Sequence, residues 1–419
     1  MLAGYLVVLL AQSTMISAQG PLGSFNIEPS SISVSGFSSG GFMAAQLGIA
    51  YSSLFQSGFG VFAGGPYDCA RDQDNFQNCM FNATPMITQP IANVKSFGAD
   101  GSIDPLTNLL DRRVYLQAGA LDDVIGLSIT NLLHLQLLQF TKAENVVFVT
   151  LADAGHAMPT DQDSKVEGFS PCNESISPYI SNCGYDGAGA VLKWLYGNLN
   201  ERNDLIEGSG SLTPFLQTGP LGAPGLADTG YIYIPETCQR RHQQQHHAAP
   251  HTDDGHFPRP RSRSPPPPRP CKLHLALHGC TMNVQTIGDL FIAHAGYNAW
   301  ADTNDMIVLY PQTTTDNETY DTWSGHIANE NACFDWIGQY GDSDRRLDSG
   351  GGEHMRAIVA MVRRVAGLDE EAQSGKGKDD EERLRAWGRS WDELETRQPT
   401  PQPQPRMPVS YKWWHMIVP

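Results

Sequence analysis

Two adjacent serines lie between glycines in SVSGFSSGGFMAAQLG, residues 33–48. Their setting poses a chemical choice between a nucleophile and a flexible turn. Gly36-Phe37-Ser38-Ser39-Gly40 fits the pattern G-x-S-x-G with Ser38 at its centre, whereas Ser39 lacks the glycine two positions earlier. A serine hydroxyl is a poor nucleophile until a base takes its proton and a carboxylate orients that base. Asp122 follows the strand-like run in VYLQAGALDDVIG, and His156 follows another in VVFVTLADAGHAMPTD. Asp123 and, less so, Asp153 compete with Asp122 for the acid's place. His134 lies in the helix-like NLLHLQLLQF and reads as a packed or surface residue.

A nucleophile of this kind needs a strand entering a tight turn and a helix leaving it, so that the hydroxyl is held on a strained corner. SISVS supplies the strand, GFMAAQL the helix, and Gly36 and Gly40 a close backbone approach. The start of that helix also favours negative charge beside the serine. Acyl chemistry further requires two N–H donors for the developing oxyanion. One is expected from Ser39, next after the nucleophile, and the other from Cys280 in LHLALHGC, with His278 bracing that turn. From Phe25 to Thr237, and again after Cys271, strand-like runs (RRVYLQAG, NVVFVTLA, CKLHLALHGC, NDMIVLYPQ) alternate with helical spacing (GGFMAAQLGIAYSSLF, GAGAVLKWLYGNL). Such alternation predicts an α/β fold with a mainly parallel sheet flanked by helices, as a single domain.

The 419 residues are 40% hydrophobic and carry a formal net charge of −17, which speaks against nucleic acid as the partner. Residues 1–18 read as a signal peptide cut near Ala18 or Gln19, which predicts a secreted, extracellular protein with no membrane partner once the signal is removed. Eight cysteines suit export and fall in order into near neighbours, giving the pairs Cys69–Cys79, Cys172–Cys183, Cys238–Cys271 and Cys280–Cys333. Neither their spacing nor that of the histidines suits zinc, so no metal is expected. Asn82, Asn173 and Asn317 begin glycosylation sequons. Residues 239–270, rich in Pro, Arg, Gln and His, read as a disordered surface loop closed by Cys238 and Cys271. Five histidines fall in that segment, where none is expected to be positioned for proton transfer. The catalytic domain is therefore expected over 24–238 and 271–367, followed by a charged, Pro/Gln-rich tail over 368–419.

The stretches SVSGFSSGGFMAAQLG, VFAGGPYDCAR, SPYISNCGYDGAGAVLKWLYG, LHLALHGC, GYNAWADTNDMIVLYPQ and CFDWIGQYG together resemble the fungal extracellular single-domain poly(3-hydroxybutyrate) depolymerases. The order Ser38, Asp122, His156 is that of α/β-hydrolases. The oxyanion loop comes after the histidine rather than before the serine, so the fold expected is a circularly permuted α/β-hydrolase. The resemblance implies triad roles for Ser38, Asp122 and His156, an oxyanion hole from Ser39 and Cys280, and a substrate-lining Trp323 in DTWSGH. It implies ester hydrolysis without a cofactor, a polyester or small ester as substrate, and a monomer. The 239–270 insertion and the tail depart from the family's pattern. Two rival readings stand beside this one: a carboxylesterase for plant-wall esters, of feruloyl or acetylxylan type, and a non-catalytic surface-binding protein on a hydrolase fold.

Overall fold

The run Ser31–Phe37 is buried on both faces, although three of its seven residues are serines. A central strand of a sheet covered on both faces must meet this demand, as parallel sheets regularly require, and small residues with satisfied hydroxyls meet it. The structure, a computed structural model, describes residues 20–161, 168–203, 209–247, 269–341 and 352–368. The proposed signal peptide, the middle of the 239–270 insertion and nearly all of the tail lie outside the described residues.

The principal sheet contains β1 (Ile27–Phe37), β2 (Gly58–Phe62), β3 (Val114–Gly119), β4 (Val146–Leu151), β7 (Ser211–Leu216), β8 (Thr229–Ile234), β9 (Cys271–Leu277) and β10 (Met306–Tyr310). Its spatial order is β4-β3-β2-β1-β9-β10-β8-β7. Every pairing from β4 across to β10 is parallel, and β8 runs antiparallel to both β10 and β7. The sheet is thus mainly parallel, with one half from the early chain, the other from the late chain, and β1 at the seam. That is the arrangement expected of a circularly permuted α/β-hydrolase. Two small pairs stand apart: β5 (Met158–Thr160) with β6 (Ile180–Asn182), and the hairpin β11 (Asp316–Thr322) with β12 (Gly325–Asn329).

The helices are α1 (Ser39–Ala50), α2 (Thr88–Asp100), α3 (Leu127–Leu137), α4 (Gly187–Tyr196), α5 (Glu236–His247), α6 (Val284–Ile287), α7 (Leu290–His294), α8 (Tyr297–Thr303) and α9 (Glu353–Ala366). They cover both faces of the sheet, and one apolar core forms on each side. On one face α1 and α9 pack with Ile32, Val34, Leu273, Leu275 and Ile307; on the other, α4 and α8 pack with Phe62, Tyr115, Ala276 and Val308. Every residue of α1 is buried, as in a helix enclosed on all sides.

All four expected disulfides are formed. One expectation needs correction: residues 239–247, assigned to a structureless loop, continue α5. The reason is local anchoring. Cys238 is bonded to Cys271, Arg241 pairs with Asp305 at 2.7 Å, and Gln239 Nε2 donates to the Ile234 carbonyl. His242, one of the five histidines assigned to disorder, packs its ring 4.9 Å from that of Phe25. Among the described residues no helix is long and apolar enough to cross a membrane.

Candidate active site

β1 ends at Phe37, α1 begins at Ser39, and Ser38 is the corner between them. Its φ of 56° and ψ of −120° place a non-glycine residue in sparsely populated backbone space. Such a conformation costs roughly 1–3 kcal/mol and must be held by its surroundings. Holding comes from the Ser38 N–H, which donates to the Phe62 carbonyl at 2.9 Å, and from its carbonyl, which accepts from the Phe42 N–H. Glycine is essential on either side. A Cβ on Gly36 would lie 2.1 Å from the Gly40 carbonyl oxygen, and one on Gly40 would lie 2.4 Å from that of His278.

The second of these contacts brings the start of α1 against the end of β9. Gly279 follows, so close that a Cβ there would lie 3.1 Å from Ser38 Cβ, and Cys280 comes next. The Ser39 N–H is in the first turn of α1, where backbone donors have no partner within the helix. The Cys280 loop is fixed from several directions. Cys280 is bonded to Cys333, and the Thr281 N–H donates to the Asn331 carbonyl. His278 Nδ1 donates to the Gly279 carbonyl at 2.7 Å, which leaves Nε2 to accept from the Thr313 N–H. Burial pushes the His278 imidazole down to about 4, in keeping with a neutral ring that braces the turn.

Asp122 and His156 meet across the ends of β3 and β4. Asp122 Oδ2 accepts from His156 Nδ1 at 2.8 Å, and both residues are buried. Asp122 Oδ1 accepts from the N–H groups of Val124 and Ile125 at 2.9 and 3.0 Å. Burial alone raises the carboxyl's pKa, but the His156 ring and these two N–H groups outweigh it and hold Asp122 below the ordinary carboxylate range. The rival acids Asp123 and Asp153 are exposed. The His156 ring is set by Phe37, whose centroid is 4.6 Å away, and by Tyr179 at 5.8 Å. Its backbone N–H donates to Ser175 Oγ at 2.9 Å. Because Phe37 immediately precedes Ser38, this contact brings the histidine beside the serine's corner. His134 lies in the last turn of α3, with its ring 5.6 Å from that of Phe148.

A buried Asp–His pair next to a strained serine at a helix start can carry out acyl transfer. The comparisons narrow the class. A polyhydroxybutyrate depolymerase from Talaromyces funiculosus is 45% identical over 362 residues, spanning 86% of this chain and 96% of that protein. This chain belongs to the polyhydroxybutyrate depolymerase family. A poly(3-hydroxybutyrate) depolymerase from Delftia acidovorans is 35% identical over 348 residues, although this chain spans only 61% of that longer protein. The crystal structure of the depolymerase from Penicillium funiculosum superposes with a TM-score of 0.73 at 45% identity, covering 83% of this chain and 99% of that one. A Ser-to-Ala depolymerase complexed with R3HB trimer gives 0.74 at 44% identity, with the same coverage. No protein-family model matches the chain.

Within this depolymerase fold, Trp323 sits at the tip of the β11–β12 hairpin, half-buried, with the Arg71 guanidinium 4.7 Å from its ring centroid. Arg71 is itself paired with the buried Asp68 at 2.5 Å. The hairpin tip is further tied down by Ser324 Oγ, which donates to the Gln73 carbonyl. The expected bracing role of His278 stands, whereas sequence reasoning missed Ser175, Tyr179 and Thr313 as the partner of His278. Each acts through a tertiary contact that leaves no motif.

Proposed function

We propose that this chain is a secreted serine esterase that hydrolyses the ester bonds of poly(3-hydroxybutyrate) or a related polyhydroxyalkanoate. The observation that carries the reading is the buried Asp122–His156 pair, set through Phe37 beside the strained Ser38, in a chain 45% identical to a polyhydroxybutyrate depolymerase. A family member's complex with R3HB trimer favours a polyester chain over a small plant-wall ester. In this reading the catalytic domain comprises residues 24–238 and 271–367 and works as a monomer.

Ser38 Oγ attacks the ester carbonyl while His156 takes its proton, and Asp122 steadies the resulting imidazolium. The carbonyl oxygen gains negative charge and accepts from the N–H groups of Ser39 and Cys280. Collapse breaks the ester C–O bond, and the proton on His156 goes to the departing alcohol oxygen, which becomes the hydroxyl end of one fragment. Water then attacks the acyl-Ser38 carbonyl and loses a proton to His156; the bond from the acyl carbon to Ser38 Oγ breaks, His156 returns that proton to Oγ, and the carboxylic acid end of the other fragment leaves. Trp323, held by Arg71, lines the surface over which the chain lies. No cofactor takes part in these steps.

The test is clearing of a poly(3-hydroxybutyrate) suspension, with a soluble p-nitrophenyl ester assayed alongside. Ser38→Ala is expected to lower both activities by at least about 10⁴-fold. Soluble-ester turnover without clearing would point to the small-ester reading, and unchanged turnover in Ser38→Ala would remove the nucleophile.

A further inference from the structure

The sequon Asn82-Ala83-Thr84 has no part in the steps above, yet the Asn82 side chain lies against the acid loop. Its Nδ2 donates to the main-chain carbonyl of Asp122 at 3.0 Å. Its Oδ1 accepts from the N–H and the Oγ of Ser128, both at 3.3 Å. Ser128 is in the first turn of α3, and the residue at that helix's N-cap is Gly126, which has no side chain to cap with. Asn82, from a separate loop, supplies the missing acceptor and binds the Asp122 carbonyl with the other end of the same amide.

Backbone contacts align the two loops. The N–H groups of Phe81 and Asn82 donate to the carbonyls of Val124 and Ile125 at 2.9 and 3.0 Å. Those two residues are the ones whose N–H groups hold Asp122 Oδ1. Phe81 and Asn82 have φ of 54° and 55°, a left-handed conformation that asparagine tolerates better than most residues. Just upstream the Cys69–Cys79 disulfide closes the loop, and Cys79 shares a buried apolar cluster with Ile125 and Ile129. The clamp is therefore anchored at both ends.

We propose that Asn82 is a positioning residue for the reaction. Its amide fixes the main chain that carries Asp122, and with it the orientation of the Asp122–His156 pair. The proposal rests on the triad reading given above. It also gives this sequon a role that belongs to the asparagine amide rather than to a sugar.

The experiment uses the full secreted chain, with kcat and KM on p-nitrophenyl butyrate referred to the folded fraction from circular dichroism. Asn82→Asp keeps an oxygen for Ser128 but offers no N–H to the Asp122 carbonyl, and Asn82→Ala removes both contacts. Thr84→Ala abolishes the sequon, leaves the amide in place and alters an exposed side chain. The expected result is a kcat lowered about 10- to 100-fold in both Asn82 variants with KM within about twofold. Thr84→Ala should match the parent. A kcat per folded molecule equal to the parent's in the Asn82 variants would overturn the proposal by reducing the amide to a stability role. A matching loss in Thr84→Ala would overturn it in favour of a glycan. Ser38→Ala in the same series separates the two readings. Turnover in that variant removes the triad itself, whereas its inactivity beside fully active Asn82 variants removes only the clamp.

Discussion

His274 on β9 is a fully buried histidine outside the proposed triad. Its Nδ1 and Nε2 meet Ser33 Oγ and Ser35 Oγ at 2.7 and 2.9 Å, and those hydroxyls continue to the phenols of Tyr196 and Tyr297. Burial pushes its imidazole down to about 3 from the usual 6.5. The unfolded chain therefore takes up a proton at this position below about pH 6.5 while the folded chain refuses it until about pH 3. Stability from this residue is full above pH 6.5 and drains as the pH falls through that window, by on the order of 4 kcal/mol. Urea unfolding from pH 7 to 4 should show His274→Gln less stable than the parent at pH 7, by roughly 1–3 kcal/mol, and flatter in its pH dependence. At this scale the sequence was partly legible. The pattern around Ser38 and the order of Ser38, Asp122 and His156 could be read because each residue closes a strand-like run. The rivalry between Asp122 and Asp123 could not be settled, since which carboxylate turns inward depends on the Val124 and Ile125 N–H groups. Asn82 was readable only as a sequon, because its partner at Asp122 is 40 residues away in the chain.

Among the elements, the turn from β1 into α1 depends on contact with the end of β9 as much as on its own residues. Gly40→Ala tests that dependence, since its Cβ would press on backbone atoms of both Leu277 and His278 at 2.4–2.7 Å. Backbone cannot yield as a flexible side chain would. The expected outcome is a loss of roughly 1–3 kcal/mol in stability and a fall in kcat larger than the change in KM, measured on a soluble ester. The long strands and α1 announced themselves through apolar runs and small residues. The β11–β12 hairpin did not, because its residues Asp316–Asn329 show no alternation of apolar and polar side chains. It is shaped instead by docking, through the Arg71 contact with Trp323 and the Ser324 bond to Gln73. The helical start of the insertion was equally hidden, since α5 is polar almost throughout and owes its order to a disulfide and an ion pair.

For the whole molecule, the Cys238–Cys271 bridge ties the start of α5 to the start of β9, with Cα atoms 6.2 Å apart. Replacing residues 248–268 by a short Gly/Ser linker should leave turnover of a soluble ester within about twofold, because α5, the bridge and β9 keep their contacts. A larger loss would assign that segment a part in catalysis. The mainly parallel sheet was legible in the alternation of strand-like and helical stretches. Its seam was legible only through the position of LHLALHGC in the chain.

The seam at β1 also sets a timetable. On one side β1 pairs with β2, which leaves the ribosome soon afterwards, but on the other it must wait for β9, whose His274 is 241 residues downstream of its partner Ser33. Ser38, Asp122 and His156 are all synthesised before the Cys280 loop, which packs against the Ser38 corner. A nascent chain thus carries the residues of the proposed triad early and lacks the β9–β10 part of the sheet until later. Pairings so distant in sequence close slowly, so the Cys280 loop reaches the Ser38 corner only after about two thirds of the chain has been made.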